Sequence, residues 1–305
     1  SDKINIRSWG AQTAANYLLD LVIRNGKFAL EPVASFTAPE QINQLFTAGN
    51  IIEDSFQLSF VEEQDRIPPR ISVVWREERE TNTVDGKGLF PVIREVTVQE
   101  GTTPDNAPLE KIDISDYATS ERHAIDLAKW QCLSRRFVTH SVSFKTTPTE
   151  AALDIGSVFK LGMETISYSQ PQNGAISADG AVTAWPELSD GSYEVLLWDG
   201  TGNSIQELTL DIVNGKSKKK SAVFCIKNSI SNVQTYKTQS LSFDEDGNID
   251  VVATYYPTTE TGYSAMVTRF RDSNFSIEGA LNDYDEFTGV VEDDPDDFNF
   301  LVLPE

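Results

Sequence analysis

Residues 236–255 read YKTQSLSFDEDGNIDVVATY. Tyr236 to Phe243 reads as a strand, and Ile249 to Tyr255 reads as another. Between them Asp244-Glu-Asp-Gly-Asn248 supplies turn residues. Two strand-like runs around a short glycine-bearing loop predict an antiparallel hairpin. The same grammar continues upstream, with strands expected at Tyr193–Trp198, Ile205–Ile212 and Ala222–Ile226, and turns at Asp199–Asn203 and Asn214-Gly215. Further back, His140, Val142 and Phe144 alternate with polar residues, and Leu153 to Leu161 turns at Gly156 into another strand. Short strands at near-regular spacing predict an antiparallel β-barrel or β-sandwich.

The N-terminal half reads as a mixture. Ala11, Ala14, Ala15, Leu18 and Val22 fall at helical spacing and predict a helix over 11–24, ended by Asn25-Gly26. Lys27 to Val33 alternates as a strand. Pro39 suits the first turn of a second helix containing Ile42, Leu45 and Phe46. Ile52–Val61 reads as a strand with Phe56, Leu58 and Phe60 on one face, followed by a turn at Arg66–Pro69. Ile71, Val73 and Trp75 share a face of the next strand. Residues 76–88 are polar, with a turn at Asp85-Gly86, and Leu89 to Gln99 forms a strand in which Pro91 implies an edge. Residues 100–111 read as a loop. Ser120 to Phe137 is the clearest helix, with Thr119 or Ser120 as cap. Its narrow face of Ala124, Leu127, Ala128 and Cys132 suits close packing on a sheet. The fold class is therefore α+β: mixed α/β modules first, then antiparallel β. The expected divisions are 1–80, 81–162 with the helix at 120–137, 163–258, and an acidic segment at 259–305, whose residues 283–297 are the most acidic. No repeat of solenoid or propeller length is visible.

The chain has 305 residues, of which 47 are acidic and 25 basic, giving a net charge of −22. Such a surface repels nucleic acid and anionic lipid at long range. With 39% hydrophobic and 10% aromatic residues, the composition supports a packed core rather than disorder throughout. Cys132 and Cys225 are the two cysteines, so a disulfide-stapled scaffold is excluded and buried free thiols are expected. No window is apolar enough to span a bilayer as a helix. No basic segment followed by an apolar run marks a signal peptide. The chain opens at Ser1, so either an initiator methionine has been removed or this is a section of something longer.

Residues that could carry chemistry are few. His123 and His140 are the two histidines, and neither has the spacing of a metal ligand pair. No G-x-S-x-G elbow is present. Asp244, Asp246, Asn248 and Asp250 suggest calcium, but Gly247 falls at position four rather than six of the loop, and Tyr255 stands where an EF-hand needs glutamate. A hairpin turn is the better reading. The Asp199–Asn203 run lacks the third glycine and the helix of a nucleotide loop. With 47 carboxylates in the chain, no particular pair stands out as a hydrolytic dyad. No catalytic residue, metal or cofactor is therefore expected. Lys216, Lys218, Lys219 and Lys220 form the one basic cluster. It reads either as a solvated hairpin tip or as a docking point for an acidic neighbour, such as a second copy of the chain.

Four stretches, in order, carry a resemblance. They are Ile52–Phe60 with Arg70–Trp75; Glu121–Arg136 followed by Val142-Ser-Phe and Leu153–Leu161; Tyr193–Gly200; and Tyr236–Tyr256. Together they resemble the tail-tip, or central hub and host-attachment, proteins of long-tailed bacteriophages, over roughly residues 4–257. Pro69 or Arg70 stands where that family usually has asparagine, and Ile155-Gly156-Ser157 replaces its common Pro-Gly-Asp. The resemblance implies a non-enzymatic virion protein at the distal end of the tail. It implies a homotrimer that meets the distal tail protein, the tape-measure protein and receptor-binding or fibre proteins. It implies a ring closing the tail tube, through which DNA passes without specific binding and without stable membrane insertion. The alternative is an acidic, β-rich carbohydrate-binding adhesin, with Trp185, Trp198 or Tyr255 stacking on sugars unless they serve the core. A wall-degrading enzyme is disfavoured by the missing motif and scarce histidine.

Overall fold

The computed structural model describes residues 10, 13–24, 27–33, 37–62, 69–83, 86–101, 103–104, 106–148, 153–163, 172–200, 204–227, 233–259, 261–271 and 275–281. In chain order, the first strands are β1 (Leu19–Arg24), β2 (Lys27–Pro32), β3 (Leu45–Phe46) and β4 (Gln57–Phe60). Next come β5 (Arg70–Thr83), β6 (Gly86–Glu100), β7 (Leu109–Asp113) and helix α1 (Glu121–Phe137). They are followed by β8 (His140–Thr146), β9 (Val158–Leu161), β10 (Asn173–Ile176), β11 (Val182–Trp185), β12 (Gly191–Trp198) and β13 (Gln206–Ile212). The chain continues through β14 (Ala222–Ile226), β15 (Gln234–Phe243), β16 (Ile249–Tyr255), helix α2 (Ala265–Phe270) and β17 (Phe275–Glu278). The protein is mostly β, with few helices.

The hairpin read at 236–255 is β15 with β16, pairing Tyr236 with Tyr255 and Phe243 with Ile249. It forms the middle of a six-stranded sheet of order β3-β9-β15-β16-β8-β4. This sheet takes β3 and β4 from the N-terminal part of the chain, so its membership crosses the expected halves. On its buried side Phe46, Phe144, Phe159 and Tyr236 pack with Val142, Leu161, Val251 and Ala253. A five-stranded antiparallel sheet, β11-β10-β14-β12-β13, buries Val195, Leu197, Leu210 and Phe224 on one face. On its other face Leu196, Trp198, Val223 and Cys225 close over Leu45 of β3, joining the two sheets. Backbone approach is tight here. A Cβ on Gly49 would lie 2.7 Å from the Ala175 Cβ, and one on Gly174 would lie 2.1 Å from the Thr183 carbonyl oxygen.

A four-stranded sheet, β17-β6-β5-β7, carries α1 on one face. Ile71, Val73, Trp75, Val96 and Val98 meet Ala124, Ile125, Leu127, Ala128 and Cys132 of the helix. The small-residue stripe thus does what its spacing predicts. Ser120 occupies the cap position, but its side chain makes no capping hydrogen bond. Glu100, with its side chain fully buried, takes ion pairs from Arg136 at the end of α1 and from Arg269 of α2. Both helices are thereby tied to the end of β6.

Several expectations are corrected. Residues 11–24 do not form one helix: a 3-10 turn spans Ala15–Tyr17, Leu18 takes a left-handed φ of 55°, and β1 follows. The apolar residues Leu19, Leu21 and Ile23 also alternate at period two, and tertiary pairing selects that pattern. Arg24 pairs with Lys27, so Asn25-Gly26 separate two strands of a hairpin rather than end a helix, and they lie outside the described residues. The helix expected after Pro39 is one 3-10 turn, Pro39–Gln41, and Leu45–Phe46 pairs parallel with Lys160–Leu161 instead. The strand expected at 52–61 shrinks to Gln57–Phe60, because Asp54, with φ 60°, turns the chain before it. Conversely, polar residues beyond 75 continue β5 through Thr83, paired with β6 as a long arm that runs through residues 80 and 81. Pro91 sits opposite Glu78, where β6 lacks its second neighbour, because β17 pairs only with residues 97–100. The loop at 100–111 yields to β7 at Leu109. The turn at Arg66–Pro69 is described only at Pro69, and the acidic stretch at 283–297 lies outside the described residues.

Replacing Gly174 with alanine should destabilise the protein by about 1–3 kcal/mol or more, since the intruding methyl meets backbone that cannot swing aside. Denaturant unfolding of Gly174→Ala beside Gly247→Ala checks this. Gly247 has φ +82° but open space around it, so its variant isolates backbone strain from the steric clash.

Candidate functional site

The basic cluster lies in the connection between β13 and β14. Val213 and Lys216 pair across Asn214 and Gly215, whose φ values are 53° and 70°. Two consecutive positive φ values define the tight primed turn for which Asn-Gly is suited. The Asp190 carboxylate accepts hydrogen bonds from the Asn214 and Gly215 amides at 2.5 and 2.9 Å. These bonds, that from Gly215 first, hold its pKa below the usual carboxylate range.

The loop then docks on the turn between β10 and β11. The Val182 amide donates to the Gly215 carbonyl at 3.0 Å, Ser217 to Gly180 at 2.8 Å, and Ser221 to Ser177 at 3.2 Å. The Lys216 ammonium lies 3.2 Å from Asp179. The Asp179 carboxyl is drawn down to about 2, first by the Ser177 hydroxyl and then by Lys216. Gly180 is forced to be glycine, because a Cβ there would sit 2.5 Å from the Ser217 carbonyl oxygen. Lys218, Lys219 and Lys220 are all exposed on this pinned loop, and no ion pair joins them among the described residues. The structure therefore separates Lys216, which is spent on Asp179, from the other three.

The second surface is the side of the six-stranded sheet away from the aromatic core, over β4, β8, β16 and β15; the β3 end of that side is covered by the five-stranded sheet through Leu45. Pairing registers place Ser59, Ser141, Thr254 and Lys237 in one row, and Gln57, Ser143, Val252 and Ser240 in the next. Lys145, Asp250 and Ser242 form a third. Two lysines here are paired, Lys145 with Asp244 at 3.0 Å and Asp250 at 3.7 Å, and Lys237 with Asp20 at 2.5 Å. Lys160 of β9 lies on the same side of the sheet, half-buried near Glu207 of β13. Asp244 is held down to about 2, first by Lys145. It also accepts the Asp246 and Asn248 amides at 3.0 and 2.8 Å. The run that suggested calcium thus uses its first carboxylate to close the hairpin and bind a lysine.

His140 is buried at one end of this sheet, not at its surface. Its Nε2 lies 2.8 Å from the Tyr236 hydroxyl and 3.2 Å from Gln234 Oε1, and its Nδ1 lies 2.8 Å from the Thr139 hydroxyl. Tyr255 stacks on the ring with centroids 4.6 Å apart. His123 is half-buried rather than exposed: it stacks on Tyr17 and meets the Asn16 carbonyl at 2.5 Å. The two histidines are on separate elements with separate partners. Cys132 and Cys225 are free and buried, and burial pushes both thiols up to about 12. No group of three metal-ligating side chains occurs among the described residues. Of the three aromatics considered for sugar stacking, Trp198 is core and Tyr255 lies against His140, which leaves Trp185 exposed. Residues 201–203 of the Asp199–Asn203 turn fall outside the described residues.

No protein-family description matches the chain, and no curated protein does. Solved structures do resemble it. One is a chain of the virion of a native gene transfer agent particle, at 10% identity and a TM-score of 0.39, covering 84% of this chain. Another is the 43 kDa tail protein of prophage MuSo2 from Shewanella oneidensis, at 10% identity and a TM-score of 0.31, covering 82% of this chain. The chain spans 40% of the first and 52% of the second.

The His140 environment sets a pH dependence. Burial lowers its pKa from the ordinary 6.5, with the Gln234 contact opposing, so the folded form holds the neutral ring. The unfolded chain binds that proton more readily, and stability from this group is full above 6.5 and lost as pH falls toward the native value. Thermal melts should show a midpoint that drops as pH falls below 6.5, and His140→Gln should flatten that drop. An unchanged slope in the variant would assign the effect elsewhere.

Proposed function

We propose that this chain is a structural and assembly protein of a long-tailed bacteriophage virion, at the distal tip of the tail. In this reading it packs as a homotrimer around the tube axis and performs no chemistry. Its neighbours are the distal tail protein, the tape-measure protein and receptor-binding or fibre proteins. One observation carries the reading. Segments that resemble the hub family, separated by up to about two hundred residues of chain, converge on one six-stranded sheet: β4, β8, β9, β15 and β16 all come from the quoted stretches.

The surfaces suit that role. A wall past which DNA moves should offer its phosphates no free cation, since unpaired lysine and arginine bind phosphate strongly. Over β4, β8, β15 and β16 the hydroxyl-rich sheet face suits this condition, with Lys145 and Lys237 paired to carboxylates. Edge strands β7 and β13, and the two-stranded arm of β5 and β6, present backbone for pairing with neighbouring copies.

In solution the full chain should show a particle of three times the 33.8 kDa chain mass, or reach it with its tail partners. Imaging of labelled virions should place it at the far end of the tail. A persistent monomer that hydrolyses peptidoglycan or binds glycans would overturn the reading. Ser143→Lys combined with Ser240→Lys puts two unpaired cations on the sheet face flanking Val252. Particles carrying both should assemble normally and deliver DNA more slowly, measured as the rate of genome release.

A further inference from the structure

We infer that Lys218, Lys219 and Lys220 form the docking point for an acidic surface of a second copy of this chain, in a head-to-tail contact. The inference rests on the homo-oligomeric reading above and names its interface.

Charge selects the partner. The chain carries 47 acidic against 25 basic residues, so a copy's surface is acidic on average. Among the described residues, many other cations pair within the molecule: Lys145, Lys227, Lys237, Arg94, Arg135 and Arg136 all meet carboxylates, and the exceptions Lys27, Lys129 and Lys160 are isolated from one another in sequence. The three consecutive lysines stand apart from that pattern.

Geometry makes the cluster more than a solvated tip. Backbone hydrogen bonds from Val182, Ser217 and Ser221 fix the loop to the neighbouring turn, and Asp190 locks its entry. The Lys219 amide donates to the Ser217 hydroxyl at 3.1 Å within the loop. A backbone held in place before contact loses little entropy on binding, which leaves more of the electrostatic attraction as affinity. Lys216 takes no part, because Asp179 already occupies it.

Symmetry follows from sign. Across a two-fold axis a patch meets itself, and three lysines facing three lysines repel. The loop must meet a different, acidic patch of the next copy. Such heterologous contacts close into rings when the rotation permits, and a three-fold ring is the smallest closed one they build.

The test uses the full chain and the triple variant Lys218→Gln, Lys219→Gln, Lys220→Gln, with Lys27→Gln as a control at another exposed lysine. Mass photometry and sedimentation at about 50 mM and about 500 mM salt span the screening range. Wild type should associate at low salt and weaken at high salt. The triple variant should associate at least tenfold more weakly, with an unchanged melting temperature, while the control matches wild type. Association of wild type and triple variant alike would overturn the assignment of the loop and leave the oligomer standing. A wild type that stays monomeric at both salt concentrations would overturn this inference, and the trimer reading would then stand or fall on assembly with the tail partners. A symmetric dimer lost in the triple variant would refute the head-to-tail geometry. Binding of wild type, but not of the triple variant, to duplex DNA with self-association unchanged would give the loop to nucleic acid and sink the proposal.

Discussion

A layer of rings holds the architecture together. Phe46 lies with its centroid 4.9 Å from Phe144 and 5.1 Å from Phe159, and Phe159 stacks 6.0 Å from Tyr236. These four side chains come from β3, β8, β9 and β15, and all are fully buried. Each buried aromatic removes about 150–250 Å² from water, so together they supply a driving force of several kcal/mol that no single local segment could provide. Once they meet, the register of the six-stranded sheet is set, because a one-residue slip would turn every ring outward. The position of β3 in turn fixes Leu45 under Trp198, and so orients the five-stranded sheet. Its lysine-bearing loop and the hydroxyl face of the larger sheet are both placed from this one layer.

The parts legible in the sequence share a physical trait: their pattern has one interpretation. The 236–255 hairpin brackets an unambiguous turn and its second strand alternates, while Tyr236 and Leu241 reach the same core through a bulge between Thr238 and Ser240. The stripe of Ala124, Leu127, Ala128 and Cys132 repeats at helical spacing with no competing period. The opening segment misleads because two patterns overlap. Its alanines favour a helical period while Leu19, Leu21 and Ile23 alternate, and Asn-Gly serves a helix end and a hairpin turn equally well. Only contact with the body separates the two, through Val22 against Gly156 and Asp20 against Lys237. The distal half of β5 reads as a loop in the sequence because its residues are polar; its backbone pairing with β6 is what makes it a strand. Strand β3, at two residues, is too short to carry a period at all.

Of the candidate surfaces, the sequence showed the lysine cluster but not its division of labour. That Lys216 is engaged while Lys218, Lys219 and Lys220 are presented depends on Asp179, thirty-seven residues upstream. The neutral sheet face was invisible for a similar reason. Its serines come from β4, β8 and β15, and they become a surface only when those strands are brought side by side. Charge in this protein is mostly handled locally, pair by pair, which leaves its large net negative value as a property of the whole outline rather than of any one site.

The order of strands in the six-stranded sheet has a consequence for how the chain matures. β3 and β4 are made before their partners: β8 and β9 follow about a hundred residues later, and the central hairpin ends only at Tyr255. Phe46 must therefore wait, exposed on the nascent chain, until about a hundred further residues have been made. Long-range pairings of this kind form slowly and leave sticky intermediates. Yield of the finished protein would then be governed by how well those early segments are shielded, which makes chaperone capture a natural companion of its biogenesis.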